Sequence, residues 1–194
     1  MERGKFIVIY GANNLGKTVQ AKKLAENLNT EGVEAKYLKY PIYDLEPTGP
    51  RLNNILRNHS ENLTPLQLQK IFAQNRRDYE PTLIQQLYRG TWIVAEDYRR
   101  TGVAWGVTFG VPLTIMEKIN RDLYPEDLEI CLDGERFTGG IERGHLHEES
   151  GKWEQNRDVH LMLADKYGWE IVGANRSIET VSVDIWNRVA AKLL

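Results

Sequence analysis

The sequence predicts an α/β fold of three layers, in which a five-stranded parallel sheet lies between two layers of helices. Three observations carry the prediction. Short apolar runs alternate with helical stretches along the chain, several of those runs have no polar face, and a glycine-rich turn joins the first strand directly to the first helix. Phe6 to Tyr10 is a β-branched-rich run that stops at Gly11. Lys17 to Leu28 follows with helical spacing through Val19, Leu24, Ala25 and Leu28. Ala35 to Tyr40 reads as the next strand, ended by Pro41. Thr64, Pro65 and Gln67 have the order of an N-cap, a first-turn proline and a capping-box partner. They open a long helix carrying Leu68, Ile71, Phe72, Tyr79, Leu83, Ile84 and Leu87, closed by Gly90. Thr91 to Ala95, Leu128 to Leu132 and Trp169 to Val172 supply three further strands, each read as apolar on both faces. Ser177 begins a last amphipathic helix through Val181, Ile185, Trp186 and Val189.

Length and charge narrow the partners. A chain of 194 residues fits one domain spanning 1–194 with a core of useful size. Its 25 Lys plus Arg against 27 Asp plus Glu leave a net charge of −2. That balance argues against a nucleic acid polymer or an anionic membrane as partner, because both demand a basic excess. Apolar runs such as Phe6 to Ile9 fall far short of the ~18 residues of a membrane span, and residues 1–5 carry no signal-peptide pattern, so a cytoplasmic location is expected. The single cysteine, Cys131, lies in the run Ile130, Cys131, Leu132 and reads as core.

One stretch breaks the alternation of strands and helices. From Gly134 to Gly151 there are five glycines, four acidic residues, two arginines and two histidines, with few apolar anchors. Loops beyond ~12–15 residues inside a compact domain tend to be lids or binding loops, and residues 134–151 are expected to form a mobile lid.

Directly after the first strand comes Gly11, Ala12, Asn13, Asn14, Leu15, Gly16, Lys17, Thr18, matching G-x-x-x-x-G-K-[ST] with the required strand before and helix after, and then Val19. Glycines let successive backbone N–H groups curl around a polyphosphate whose far wall is a helix N-terminus. Lys17 is expected to neutralise the β- and γ-phosphates of ATP, and Thr18 to place its hydroxyl on Mg²⁺. The expected fold is therefore of the P-loop NTPase type. No N-K-x-D base-reading motif and no LSGGQ run is present, so a small kinase fits better than a guanine switch protein or a transporter ATPase. Such an enzyme needs an acceptor pocket and a closing lid that shuts out water. A phosphate monoester acceptor needs no general base, since its second pKa near ~6 leaves an oxygen ionised at neutral pH.

Across nearly its whole length the chain resembles the thymidylate kinase family of nucleoside monophosphate kinases. The matching segments, in family order, are the P-loop, Lys39, Tyr40, Pro41 through Thr48, Gly49, then Ile71 to Arg76, Glu96, Asp97, Tyr98 to Trp105, Asp127 to Asp133, and Asn175 to Glu179. The resemblance implies transfer of the ATP γ-phosphoryl group to a deoxynucleoside monophosphate, dTMP above others. It implies that Phe72 stacks on the base and Arg76 hydrogen-bonds it, and their spacing of four sets both on one helical face. By the same resemblance Tyr98 and Trp105 line the acceptor's base and sugar, Glu96 helps to organise Mg²⁺, Asn175 and Arg176 lie in the adenine loop, and pairing as a homodimer is implied.

The chain departs from the family pattern at three places. Asn13 stands where relatives have a P-loop carboxylate for the acceptor's 3′-hydroxyl. Tyr43 and Asp97 stand where relatives have arginines that grip the acceptor phosphate, and neither reproduces a bidentate charge-assisted bond. Lys39, Arg51, Arg99 and Arg100 are near enough in sequence to substitute. With Asn14 and Leu15 in the P-loop, a catalytic arginine has to come from the lid, where Arg143 and Arg136 are the candidates. His145 and His147, with His160 further on, read as solvated rather than as a metal site. Two other readings stay open at this level: a kinase for another nucleotide or nucleoside, and a non-catalytic relative that binds nucleotide.

Overall fold

The computed structural model describes residues 2–194. Its five strands are β1 Phe6–Tyr10, β2 Ala35–Lys39, β3 Trp92–Glu96, β4 Leu128–Asp133 and β5 Glu170–Gly173. All pair in parallel, in the order β2-β3-β1-β4-β5. The helices are α1 Lys17–Thr30, α2 Thr48–Asn58, α3 Pro65–Tyr88, α4 Arg99–Thr108, α5 Leu113–Asn120, α6 Leu146–Glu149, α7 Trp153–Tyr167 and α8 Ile178–Leu193.

The sheet is buried where the sequence is continuously apolar. In β1, Phe6, Val8 and Tyr10 point into one core and Ile7 and Ile9 into the other, and every one of the five side chains is fully buried. The first core is covered by α3, α4, α5 and α7 through residues such as Leu83, Val103, Met116 and Leu163. The second is covered by α1 and α8 through Leu24, Leu28, Ile185 and Val189. This is the expected three-layer sandwich. The capping box of α3 is formed: the Thr64 hydroxyl accepts from Gln67 N at 3.3 Å, and Thr64 N donates to Gln67 Oε1 at 2.8 Å.

Some expectations change. Val19 carries a helical apolar spacing but is 45% exposed, because α1 turns that face away from the sheet. The last strand is not covered on both sides: β5 is an edge, and Ile171 is as exposed as Val19. Four helices absent from the sequence reading, α2, α4, α5 and α7, fill its unassigned stretches. Residues 134–151 contain the single-turn helix α6. A small third core joins α2 to the start of α3 through Leu52, Ile55, Leu56, Leu68 and Phe72, and it holds the Phe72 face of α3 near the carboxyl ends of the strands. Ligand sites in open parallel sheets form at those ends.

Candidate active site

A cavity of about 520 Å³ opens at the carboxyl ends of β1 and β3. One wall is the Gly11–Thr18 turn. Gly11 has φ +133°, and a Cβ there would lie 2.5 Å from the carbonyl oxygen of Leu132, so only glycine fits. The first turn of α1 has no acidic residue and no side-chain cap, which leaves its N–H groups open to an anion. The buried Lys17 Nζ donates to the carbonyls of Gly11 (3.0 Å) and Ala12 (2.9 Å), and lies 3.7 Å from Asp97. Asn13, Asn14, Gly16, Lys17, Thr18 and Val19 all line the cavity, whereas the Leu15 side chain is packed in the core beneath.

Beside the P-loop, at the end of β3, Glu96 is buried with its Oε1 2.5 Å from Lys39 Nζ and its Oε2 without a hydrogen-bond partner among the described residues. Asp97 follows at φ 57°, held by the Thr101 hydroxyl, which donates to it at 2.9 Å.

The opposite wall is α3. Phe72 and Arg76 are both buried and face the cavity, with the guanidinium 5.9 Å from the ring centroid. Burial pulls the Arg76 pKa down, although an arginine stays charged. Its side-chain contact is a long one, Nη1 to Asn120 Oδ1 at 3.5 Å, and Nε has no partner among the described residues. Trp105 is buried and stacks on His147, ring centroids 4.1 Å apart and planes 13° from parallel. His147 also faces Phe72 at 6.1 Å. The solvated reading of this histidine is therefore overturned: desolvation among aromatic rings pulls it down to about 3, so it is neutral. His160 is buried in the core as well, and His145 is half-buried. Among the described residues no group of three or more His, Cys, Asp or Glu is arranged to hold a metal.

Residues 134–151 lie across the P-loop. Glu148 accepts hydrogen bonds from the side-chain amides of Asn13 and Asn14, each at 2.8 Å, and pairs with Arg136. Phe137 N donates to the Asn14 carbonyl at 2.9 Å, and Trp153 Nε1 to the Asn13 carbonyl at 2.6 Å. A carboxylate thus reaches Asn13 from a segment 135 residues away. Nothing local in the sequence announced that contact.

Several sequence candidates lie elsewhere. The Tyr98 ring is fully buried in the core, edge-on to Phe6 at 5.1 Å, and does not reach the cavity, because α4 begins by turning it under the sheet. Arg143 is exposed and outside the cavity. Arg51, Arg99 and Arg100 pair with Glu61, Glu126 and Glu129, away from the cavity. Of the four substitutes considered, Lys39 alone lines it. One residue that sequence reasoning missed is Arg57 of α2: it lies 4.8 Å over the Tyr43 ring, lines the cavity, and pairs with Glu142 at 2.6 Å. Its position fourteen residues after Tyr43 hid it, since α2 was not foreseen. Asn175 donates to the carbonyl of Glu135 (3.0 Å) and accepts from its N–H (2.6 Å), fixing the start of the 134–151 segment, and Arg176 pairs with Asp184.

A phosphate cradle facing an aromatic wall and a buried guanidinium, within one cavity on a parallel sheet, defines a P-loop phosphotransferase with a pocket for a ring-bearing acceptor. The family model described as thymidylate kinase matches residues 9–185. The chain belongs to the thymidylate kinase family, whose members are ATP-dependent phosphotransferases acting on nucleotides. Its relatives include the thymidylate kinases of Dictyostelium discoideum (28% identical, covering 95% of this chain and 84% of the relative), Homo sapiens (29%, 94% and 88%) and Plasmodium falciparum (30%, 97% and 90%). A solved thymidylate kinase from Candida albicans superposes with a TM-score of 0.79 at 23% identity, over 97% of this chain and 92% of that one, and shares the fold.

Proposed function

We propose that the chain catalyses transfer of the ATP γ-phosphoryl group to dTMP, giving ADP and dTDP. The observation that carries this reading is the single cavity shared by the P-loop and the Phe72–Arg76 face of α3. An oxygen of the acceptor phosphate forms a bond to the γ-phosphorus as the bond to the β,γ-bridging oxygen breaks. The transition state is loose, so the work is positioning and charge neutralisation.

In this reading the backbone of residues 11–18 and Lys17 hold the donor phosphates, and Asn175 and Arg176 flank the adenine. Phe72 and Arg76 take the thymine and Trp105 the sugar. Lys39 and Arg57, with Tyr43 between them, hold the acceptor phosphate in place of the absent arginines. Glu148, delivered to Asn13, supplies the carboxylate for the acceptor's 3′-hydroxyl that the P-loop lacks. Thr18 and Glu96 suit Mg²⁺, since a buried unpartnered carboxylate oxygen next to a phosphate cradle is a hard-cation ligand. When bound, that ion neutralises charge on the β- and γ-phosphates. Residues 1–194 act as one domain in which 134–151 form the lid, and a lid arginine, Arg143 or Arg136, closes over the transferring group. A cytoplasmic homodimer completes the proposal. No helix among the described residues is long and apolar enough to cross a membrane, and light scattering reads the oligomeric state.

The test is a coupled ADP-release assay over a panel of nucleoside monophosphates and nucleosides. dTMP should be the preferred acceptor. Lys17→Ala should lower kcat by at least about 10³-fold with an unchanged far-UV spectrum. Preference for an acceptor without a phosphate, or full activity in the lysine variant, overturns the assignment.

A further inference from the structure

Several polar side chains of the cavity take no part in these roles, and Gln69 is one of them. Gln69 of α3 is 2% exposed and lines the cavity, and its Oε1 is buried with no hydrogen-bond partner among the described residues. A buried amide in that state costs on the order of 1–3 kcal/mol, which a ligand group reaching Oε1 from the cavity would recover. Gln69, Phe72 and Arg76 are spaced by three and four along α3 and share one helical face. Gln69 and Arg76 also converge on one point, the Cα of Gly102. A Cβ at that residue would lie 2.9 Å from Arg76 Nη1 and 3.2 Å from Gln69 Oε1. The missing side chain at Gly102 is what leaves room for the two polar ends, and both carry an unmet hydrogen-bonding atom, Arg76 Nε and Gln69 Oε1.

We propose that Gln69 is a specificity-determining residue that, with Arg76, reads the lactam edge of the acceptor base, Oε1 accepting the ring N3–H while the guanidinium donates to the adjacent carbonyl. This inference rests on the pyrimidine monophosphate reading above and names how the base is chosen. The two groups present acceptor beside donor, which complements a carbonyl beside an N–H, the pattern of thymine and uracil. Cytosine presents the reverse, an exocyclic amine beside a bare ring nitrogen. The amide of Gln69 can rotate to suit either pattern, but a guanidinium has donors only. Arg76 therefore meets the exocyclic amine of cytosine with donors alone, a mismatch that persists whichever way the Gln69 amide turns. Sites built to hydrogen-bond a polar group discriminate strongly against an analogue lacking it, because the site's own buried atoms are then left unpaired.

The experiment compares dTMP, N3-methyl-dTMP and dCMP as acceptors for the full chain and for Gln69→Met, a variant of similar volume without hydrogen-bonding atoms. The wild type should favour dTMP over each analogue by at least about 100-fold in kcat/KM. In Q69M, kcat/KM for dTMP should fall about 10- to 100-fold, through KM, while the value for N3-methyl-dTMP changes less than about threefold and the KM for ATP stays fixed. Without ligand, the melting temperature of Q69M should equal or exceed that of the wild type, since an unpaired buried amide has been removed, whereas a structural glutamine would lower it. A dTMP to N3-methyl-dTMP ratio that survives in Q69M overturns the inference. A wild type that turns over dTMP without rejecting the N3-methyl compound overturns it too, independently of how the variant folds. If the wild type does not turn over dTMP, the acceptor reading itself fails and takes this inference with it.

Discussion

The two fully buried histidines make acid sensitivity a quantitative prediction. His160 lies within α7, where Nδ1 donates to the Asn156 carbonyl at 2.9 Å and Nε2 is buried without a partner, and burial pulls its pKa down to about 4. His147 is pulled to about 3 between Trp105 and Phe72. In the unfolded chain both return to about 6.5, so unfolding takes up protons at any pH between the two values. The sign follows: their contribution is intact above pH 6.5 and is lost as pH falls from there toward the folded values. At pH 5, some 1.5 units below the unfolded value, each costs about 2 kcal/mol of stability at roughly 1.4 kcal/mol per unit. Urea unfolding at pH 7.5 and 5.0 reads the effect. His160→Gln keeps a donor for the Asn156 carbonyl but cannot titrate, and should recover about 2 kcal/mol of the wild-type loss between these pH values. His147→Phe keeps a ring on Trp105. Its recovery should appear as slower hydrogen exchange of residues 134–151 at pH 5, because that segment can open without the core. Carboxylates titrate alike in all three proteins and cancel in the comparison. A His160→Gln protein that loses as much stability as the wild type between pH 7.5 and 5.0 refutes the linkage argument.

Two further outcomes follow from single positions. Arg57→Met should raise the KM for the acceptor monophosphate about 10- to 100-fold while leaving the KM for ATP within about twofold, and equal changes in both would remove Arg57 from the acceptor phosphate. The Cys131 thiol, pushed by burial up to about 12, should resist iodoacetamide at pH 8 in the native protein and react on unfolding, as mass spectrometry can score; rapid native labelling would contradict its place in the sheet.

What could be read ahead of the structure was local. The strand, turn and helix from Phe6 to Leu28 follow from neighbouring residues, and the capping box at Thr64 and Gln67 marks the start of α3 within one turn. The Phe72–Arg76 face was legible because a helix fixes which residues share a side. Gln69 lies on that same stripe, but a lone glutamine on a helix is ordinary until its burial is known. Contacts that depend on packing distant segments could not be read. Glu148 meets Asn13 only because residues 134–151 fold back over the P-loop, and Arg57 reaches Tyr43 only because α2 packs on α3. Tyr98 shows the converse, since its motif position pointed to the ligand while its ring was needed to fill the core between Phe6 and Tyr40.

Three cations of the cavity face carboxylates, with Lys17 facing Asp97, Lys39 facing Glu96, and Arg57 facing Glu142. On the proposed roles, Asp97 and Glu142 neutralise cations that the substrate phosphates would also seek. If those roles hold, nucleotide entry exchanges one anion for another at Lys17 and Arg57.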